Sequence, residues 1–347
     1  YSKVFFHVAA NCGGCGGISE HWRSLDAAGI PFTVYAANDA GLVAQAAQYQ
    51  RATLVYRDVE ASTVNPTDYD KDPETAAAVY WQRTLARTPA EIKALKGRVW
   101  LELLNEPGRE DAQANWVGRL MYYMAKRALV DGWKVMGPGW APGNPEPHHW
   151  KMPGWELYLR LCAAHRGQVA VSLHEYALEI DIEAGAPWLV GRFQFLLNAC
   201  RDMAITPPRI WITECGWALN DMPDNADAKA DIDYLARLYA AHEPIQSAHL
   251  WTLQSGVGNG GLPQQLNSLM PWLTEYTITT RFPDVDEPPP DGGNGGIPVS
   301  NLLDNPSFDE GWSDDDLYPA TQQNPAGWSL EWNLTDASKS GVTFKLG

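Results

Sequence analysis

The chain has 347 residues, 45% of them hydrophobic, and a formal charge of −16. That length can enclose a large core, one big α/β barrel with a small appendage, while no run of roughly 18 apolar residues is present to cross a bilayer. An acidic chain without a clustered Lys/Arg face is a poor partner for phosphate backbones, which excludes nucleic-acid binding.

Strand-like apolar runs follow one another at Lys3 to Ala10, Pro31 to Asn38, Ala52 to Asp58, Arg98 to Asn105, Lys134 to Pro138, Val169 to Tyr176, Arg209 to Glu214 and Ala248 to Leu253. Between them lie segments of helical period, such as Trp116-Val117-Leu120-Met121-Met124-Ala128. Eight strands alternating with eight helices predict an α/β fold of the (β/α)8, or TIM-barrel, kind over residues 1–283. The sequence opens on Tyr1 inside a strand-like run and without Met, as expected where a signal peptide has been removed or was never included in the chain.

Five Cys are too few for a disulfide-built scaffold. Cys12-Gly13-Gly14-Cys15 stands alone, without the second Cys or His pair of a zinc site, and reads as loop residues or a local disulfide. Cys162 and Cys200 fall in helical, apolar surroundings and read as buried filler.

Residues 284–298 hold Pro288-Pro289-Pro290 and a Gly-rich stretch, and read as a linker. Residues 299–347 read as β-rich. From residue 284 onward the chain carries 12 acidic and 2 basic side chains, a net of −10 against −16 for the whole.

The chemistry is expected at two strand ends. Val99-Trp100-Leu101-Glu102-Leu103-Leu104 stops at Asn105-Glu106-Pro107, and Arg209-Ile210-Trp211-Ile212-Thr213 stops at Glu214. The carboxyl ends of parallel barrel strands share one mouth, so Glu106 and Glu214 should face each other there. Two such carboxylates suit glycosidic cleavage, one as proton donor and the other as nucleophile, and need neither metal nor organic cofactor. Burial of Glu106 beside Glu214 would suit it to the acid role.

Asn105 can hydrogen-bond a sugar hydroxyl. His174 and Tyr176, two apart on one strand, point the same way, and the Tyr hydroxyl can orient Glu214. Of the 16 Trp, Trp251, Trp140 and Trp217 are the expected sugar-stacking platforms. Asn38 and Asp58 are further polar groups expected at the mouth, with turn-forming as the competing role.

These residues resemble clan A glycoside hydrolases: Asn105-Glu106-Pro107 on the fourth strand, His174-x-Tyr176 on the sixth, Thr213-Glu214-x-Gly216 on the seventh and Trp251 on the eighth. The resemblance covers about 280 residues and implies a retaining mechanism, with Glu106 as acid/base, Glu214 as nucleophile and Tyr176 holding Glu214. In the cellulase-like and mannanase-like members an Arg on strand two, and often a His on strand three, support the nucleophile. Here strand two ends Tyr35-Ala36-Ala37-Asn38 and strand three offers Arg57-Asp58. Some β-1,3-glucanase families of the clan are similar in their compact barrels and their strand-six His-x-Tyr.

The stretch Asn301 to Trp312 resembles the opening of a β-sandwich carbohydrate-binding module, which would tether the barrel to a polymer. The expectation is therefore a monomeric, secreted hydrolase of β-linked polysaccharide or oligosaccharide, with β-glucan favoured. The segments from Asp58 to Pro73 and from Trp140 to Pro153 are long enough to wall a cleft for endo cleavage. Two alternatives are a muramidase-like cell-wall glycosidase and a sugar-binding barrel that has lost catalysis.

Overall fold

Strands that are apolar on both faces can bury both between a filled barrel interior and a jacket of helices. The computed structural model describes residues 1–9, 15, 17–177, 181–217, 222–253 and 262–282, with backbone alone for 262–264, and the backbone of 328–332 and 342–346. Eight parallel strands close into a barrel in chain order: β1 (Val4–Val8), β2 (Phe32–Ala37), β3 (Ala52–Arg57), β4 (Val99–Glu102), β5 (Lys134–Met136), β6 (Val169–Tyr176), β7 (Ile210–Gly216) and β8 (Ile245–Leu253). Pairing of Val4 with Ala248 seals the ring between β1 and β8.

The jacket is α1 (Ile18–Ala27), α2 (Ala40–Ala46), α3 (Pro73–Arg87), α4 (Ala90–Ala94), α5 (Asp111–Val130), α6 (Pro153–Ala164), α7 (Phe193–Asp202), α8 (Asn225–Ala240) and α9 (Leu262–Thr279). Asp39, Asp72 and Asp224 stop the preceding loops by accepting backbone N–H bonds from the first turns of α2, α3 and α8. The apolar stripe of α5 faces the barrel with Val117, Leu120, Met121, Met124 and Ala128 buried. Its Gly118 lets α6 approach closely, since a Cβ there would stand 2.6 Å from the Gly154 carbonyl carbon.

Two strand limits differ from the sequence reading by three residues, and other limits by one or two. The fourth strand ends at Glu102 rather than Asn105, because pairing with β5 stops at Glu102–Met136. The eighth begins at Ile245 rather than Ala248, because Ile245 pairs with Ile210 despite its polar neighbours Gln246 and Ser247.

Residues Tyr1–Glu287 form one compact unit and Pro288–Gly347 another. In the second, β9 (Trp328–Trp332) and β10 (Val342–Leu346) pair antiparallel, with Val342 opposite Trp332. The expected linker at 284–298 and the stretch Asn301 to Trp312 lie outside the described residues. Cys15 is disulfide-bonded, whereas Cys162, Cys200 and Cys215 are free and buried; Cys12 lies outside the described residues. Among the described residues no helix is long and apolar enough to cross a membrane.

One buried carboxylate serves the scaffold. Glu175 on β6 points outward and accepts hydrogen bonds from Gly191 N–H (2.7 Å), Phe193 N–H (3.0 Å) and the Tyr239 hydroxyl (3.0 Å). It thereby supplies the acceptor that the start of α7 lacks in its own sequence. Burial outweighs these three donors and pushes its carboxyl up to about 7. The folded state then holds a proton that the unfolded chain releases at ~4.5, so this group's contribution is full below that pH and is lost as pH rises toward 7. The loss should approach about 3 kcal/mol. Urea midpoints at about pH 4.5 and about pH 8 are expected to differ less in Glu175→Gln than in the parent. An equal difference in both proteins rejects the assignment.

Candidate active site

Alternation along the strands carries polar side chains upward through the barrel. Trp100 and Trp211 pack near the amino ends at 4.8 Å between ring centroids. Two residues further along, Glu102 and Thr213 face each other, with the Thr213 hydroxyl donating to Glu102 Oε1 at 2.7 Å. Strict alternation would then turn Glu214 outward. A register shift prevents this: Leu173 pairs with Ile212 but His174 with Glu214, leaving Thr213 as the extra residue of a bulge. Thr213 and Glu214 both face the interior as a result.

Glu106 reaches the mouth by a different device. The chain leaves β4, Asn105 forms an isolated bridge with Gly139, and Glu106 adopts φ 44°, a left-handed conformation uncommon for a side chain of its size and rarer still before proline. Its N–H donates to the Gly139 carbonyl at 2.7 Å and the Asn105 N–H to Ser62 O at 3.0 Å, which fixes the turn. Such a conformation persists only where its surroundings over-determine it, and it marks Glu106 as a functional candidate.

A carboxylate oxygen of Glu106, one of Glu214 and a ring nitrogen of His174 all lie within 4.8 Å of one another. His174 Nδ1 is 3.0 Å from Glu106 Oε1 and 3.6 Å from Glu214 Oε2, and so bridges the two carboxylates. The Tyr176 hydroxyl donates to Glu214 Oε2 at 2.6 Å and Arg57 Nη2 to Glu214 Oε1 at 2.5 Å. Arg57 Nη1 donates to Asn105 Oδ1 at 2.6 Å and reaches Glu102 Oε2 at 3.5 Å, so one guanidinium from β3 ties three acceptors together. The Tyr35 hydroxyl donates to the same Glu102 oxygen.

The two glutamates occupy opposite environments. Glu214 has 8% of its side chain exposed and Glu106 has 42%. Burial alone would protonate Glu214, but His174, Arg57 and the Tyr176 hydroxyl overcome it and hold the carboxyl well below the usual range. Burial opposes the charged form of His174 as well. Glu214, the hydrogen bond to Glu106, and Glu102 outweigh it, so its pKa lies above the ordinary histidine value. His7 on β1 is 3.7 Å from Glu214 Oε1, yet burial drives its pKa far down and it stands neutral. Burial likewise keeps the Tyr176 phenol protonated, followed by the charge of Glu214.

Several expected contacts fall elsewhere. Trp140 is 0% exposed and packs on Trp155 at 5.7 Å, so it is core and not a sugar platform. Trp217 is buried too, its Nε1 donating to Asp231 at 2.6 Å. Asn38 braces a loop by accepting the Val59 N–H at 2.9 Å. Asp58 caps a turn through the Ala61 N–H at 2.7 Å and pairs with Arg87 at 2.7 Å. The side chain of His174 is fully buried, so its partners are the carboxylates and not substrate. The Asn105 carboxamide oxygen is occupied by Arg57. Trp251 stays half-buried and meets Tyr176 edge-on at 6.3 Å. The burial expected for Glu106 is absent.

Among the described residues, two clusters have the donor types of a metal site. In one, His149 Nδ1 accepts the Glu146 N–H at 3.1 Å, which puts the ring proton on Nε2, where it is donated to Asp111 Oδ1 at 2.8 Å; that nitrogen offers no lone pair. In the other, Glu106, His174 and Glu214, both Glu214 oxygens are already held, one by Arg57 Nη2 at 2.5 Å and the other by the Tyr176 hydroxyl at 2.6 Å, and His174 Nδ1 is turned to Glu106 at 3.0 Å. Neither arrangement suits a metal ion.

The fold and site together define a closed (β/α)8 barrel with a paired-carboxylate centre at the carboxyl ends of its strands. No family model and no curated protein matches the chain. Among solved structures it is similar to a GH5-4 broad specificity endoglucanase from Clostridium acetobutylicum, with TM-score 0.51, 16% identity and coverage of 80% of this chain and 97% of that one. An endo-beta-1,4-mannanase from Thermotoga petrophila aligns with TM-score 0.49 and 12% identity over 80% of this chain and 77% of that one. A GH128 endo-beta-1,3-glucanase from Amycolatopsis mediterranei, in complex with laminaritriose, aligns at 0.37 and 17% over 77% and 98%. At such identities the first of these likenesses bears on the fold alone.

Proposed function

We propose that the chain is a retaining glycoside hydrolase acting on β-linked polysaccharide. The observation that carries this reading is that one carboxylate oxygen of Glu106 and one of Glu214 lie within 4.8 Å of each other and of a His174 ring nitrogen at the barrel mouth. Retaining enzymes keep their carboxyl groups about 5–5.5 Å apart and inverting ones about 6.5–9.5 Å. The asymmetry of the pair supports the division of labour. Glu214, buried and ionised, attacks the anomeric carbon while Glu106 gives its proton to the leaving oxygen. Glu106 stands at the rim where water arrives, and it deprotonates the water that releases the glycosyl group from Glu214. The Arg57 contact from β3 favours an active centre over a barrel that only binds sugar, because it provides the nucleophile with the cation that strand two lacks.

The sequence resemblance to β-1,3-glucanase families of clan A supports β-glucan as substrate, and the long segments from Asp58 to Pro73 and from Trp140 to Pro153 support endo cleavage. A disulfide at Cys15 supports an oxidising, extracellular setting. Residues 299–347 are proposed as the start of a carbohydrate-binding module. The test is product analysis on β-1,3-glucan, β-1,4-glucan, mannan, xylan and peptidoglycan. Soluble β-configured reducing ends are expected first from a β-glucan; first products of the α configuration contradict retention, release from peptidoglycan alone favours the cell-wall reading, and no release from any polymer rejects hydrolysis.

A further inference from the structure

Beneath the two carboxylates lies a third that the reaction scheme does not use. Glu102 ends β4 with its side chain wholly buried. Its Oε2 accepts from Tyr35 and faces Arg57, and its Oε1 accepts from Thr213. His174 turns Nδ1 up toward Glu106 and leaves Nε2 buried without a hydrogen-bond partner among the described residues. That nitrogen and Glu102 Oε1 border the same small space beside Gly139: a Cβ at position 139 would stand 2.4 Å from His174 Nε2 and 3.1 Å from Glu102 Oε1. A glycine there lets the imidazole and the buried carboxylate share one low-dielectric pocket, where a charge is felt strongly.

We propose that Glu102 is a positioning residue of the site, the buried counter-anion that keeps His174 doubly protonated so that the imidazolium bridges Glu106 and Glu214. This rests on the hydrolase reading of those two glutamates. Charge accounting supports it. The groups facing His174 are Glu106 and Glu102 from β4 and its loop, Arg57 from β3, Glu214 from β7, His7 from β1 and Tyr176 from its own strand; the β5 side presents uncharged Gly139 and Trp140. His7 and Tyr176 are neutral, so Arg57 alone would leave one of the buried anions Glu102 and Glu214 unbalanced, and imidazolium at 174 closes the balance. When Glu214 forms its bond to the anomeric carbon it loses its charge. Glu102 does not, so His174 retains a buried anion through the covalent stage and continues to donate Nδ1–H to Glu106 as that residue accepts the proton from water.

The experiment is a pH titration of the His174 ring nitrogens by 15N NMR in the full, unliganded chain, with the signal assigned through His174→Asn. The wild-type midpoint is expected above the ordinary ~6.5, and Glu102→Gln, which keeps the shape and removes the charge, should lower it by about one pH unit. An unmoved midpoint overturns the proposal. Should that variant fail to fold, Thr213→Val decides instead. It leaves the charge on Glu102 and removes one donor that disperses it, so the midpoint should rise; an unchanged or lower value overturns the role. No substrate enters the measurement. A chain inactive on every glycan yet showing the shift retracts the hydrolase reading, and an active chain without the shift retracts only the role of Glu102.

Discussion

Replacing Glu214 with Ala is expected to lower kcat by about 10⁴-fold or more, the size of loss seen when a group that acts as a unit with its partners is removed, while the chain still binds polymer. The variant keeps Arg57, His174 and Tyr176 around the space the carboxylate filled. The Arg57 guanidinium and a hydroxyl donor around a vacated carboxylate site will accept a small anion. Azide should therefore enter from the face that Glu214 used and form the N–C bond to the anomeric carbon as the aglycone leaves. One displacement then replaces two, and the glycosyl azide has inverted configuration. Glu106→Ala should behave differently. It should lose about 10²–10⁴-fold on polymer, the usual worth of general acid–base catalysis, but far less on an aryl glycoside whose leaving group needs no proton. Kinetics on both substrates with and without azide, with the product configuration read by NMR, separate the roles. Normal turnover by Glu214→Ala would end the nucleophile assignment, and inverted azide product from Glu106→Ala would exchange the two roles.

How much of this was legible in the sequence depends on which physical rule carried each residue. The carboxylates at 106 and 214 stood out because each follows the carboxyl end of a strand-like run, where the barrel mouth opens. Tyr176 follows from the two-residue period of a strand together with the shared mouth of a parallel barrel. Glu102 is equally interior, yet it sits inside Val99–Leu104, where the sequence offers no sign of which face looks into the barrel, since both faces of such a strand are buried. The bulge at Thr213 is hidden for a related reason: it is a property of the pairing of β7 with its neighbours and has no residue signature of its own. Arg57 was visible as a residue but not as a partner of Glu214, because 157 positions separate the two and only barrel closure brings them to 2.5 Å. The tryptophans misled for the opposite reason. Indole suits a sugar face and a core equally well, and Trp140 and Trp217 found core neighbours. Strand-end loops were legible, whereas the layer beneath them required the register.

Arg57→Met should be strongly destabilising, and its cost should depend on pH in a way that identifies the cause. The guanidinium is the permanent cation between Glu102 and Glu214, both nearly inaccessible to water. Removing one member of a buried ionic group typically costs about 3–5 kcal/mol, because the remaining charges are left uncompensated. The sign of the pH dependence follows from Glu214. Its folded-state pKa is depressed, so its contribution in the parent is fully present above the ordinary ~4.5 and is lost as pH falls below it. Without Arg57, the burial that opposes ionisation is met by one cation fewer and the pKa moves up, so acid relieves the variant by neutralising the stranded carboxylate. The gap in unfolding free energy between parent and variant is expected to be widest near neutral pH and to narrow as pH falls toward about 4. Arg57→Lys should recover part of the stability and little of the activity, since an ammonium restores the charge but cannot span Glu214, Asn105 and Glu102 from one planar fork. Urea unfolding of the three proteins across this pH range is the measurement. A gap that stays constant with pH would mean that Arg57 contributes by filling space and not by charge, and the electrostatic account of the nucleophile would fall with it.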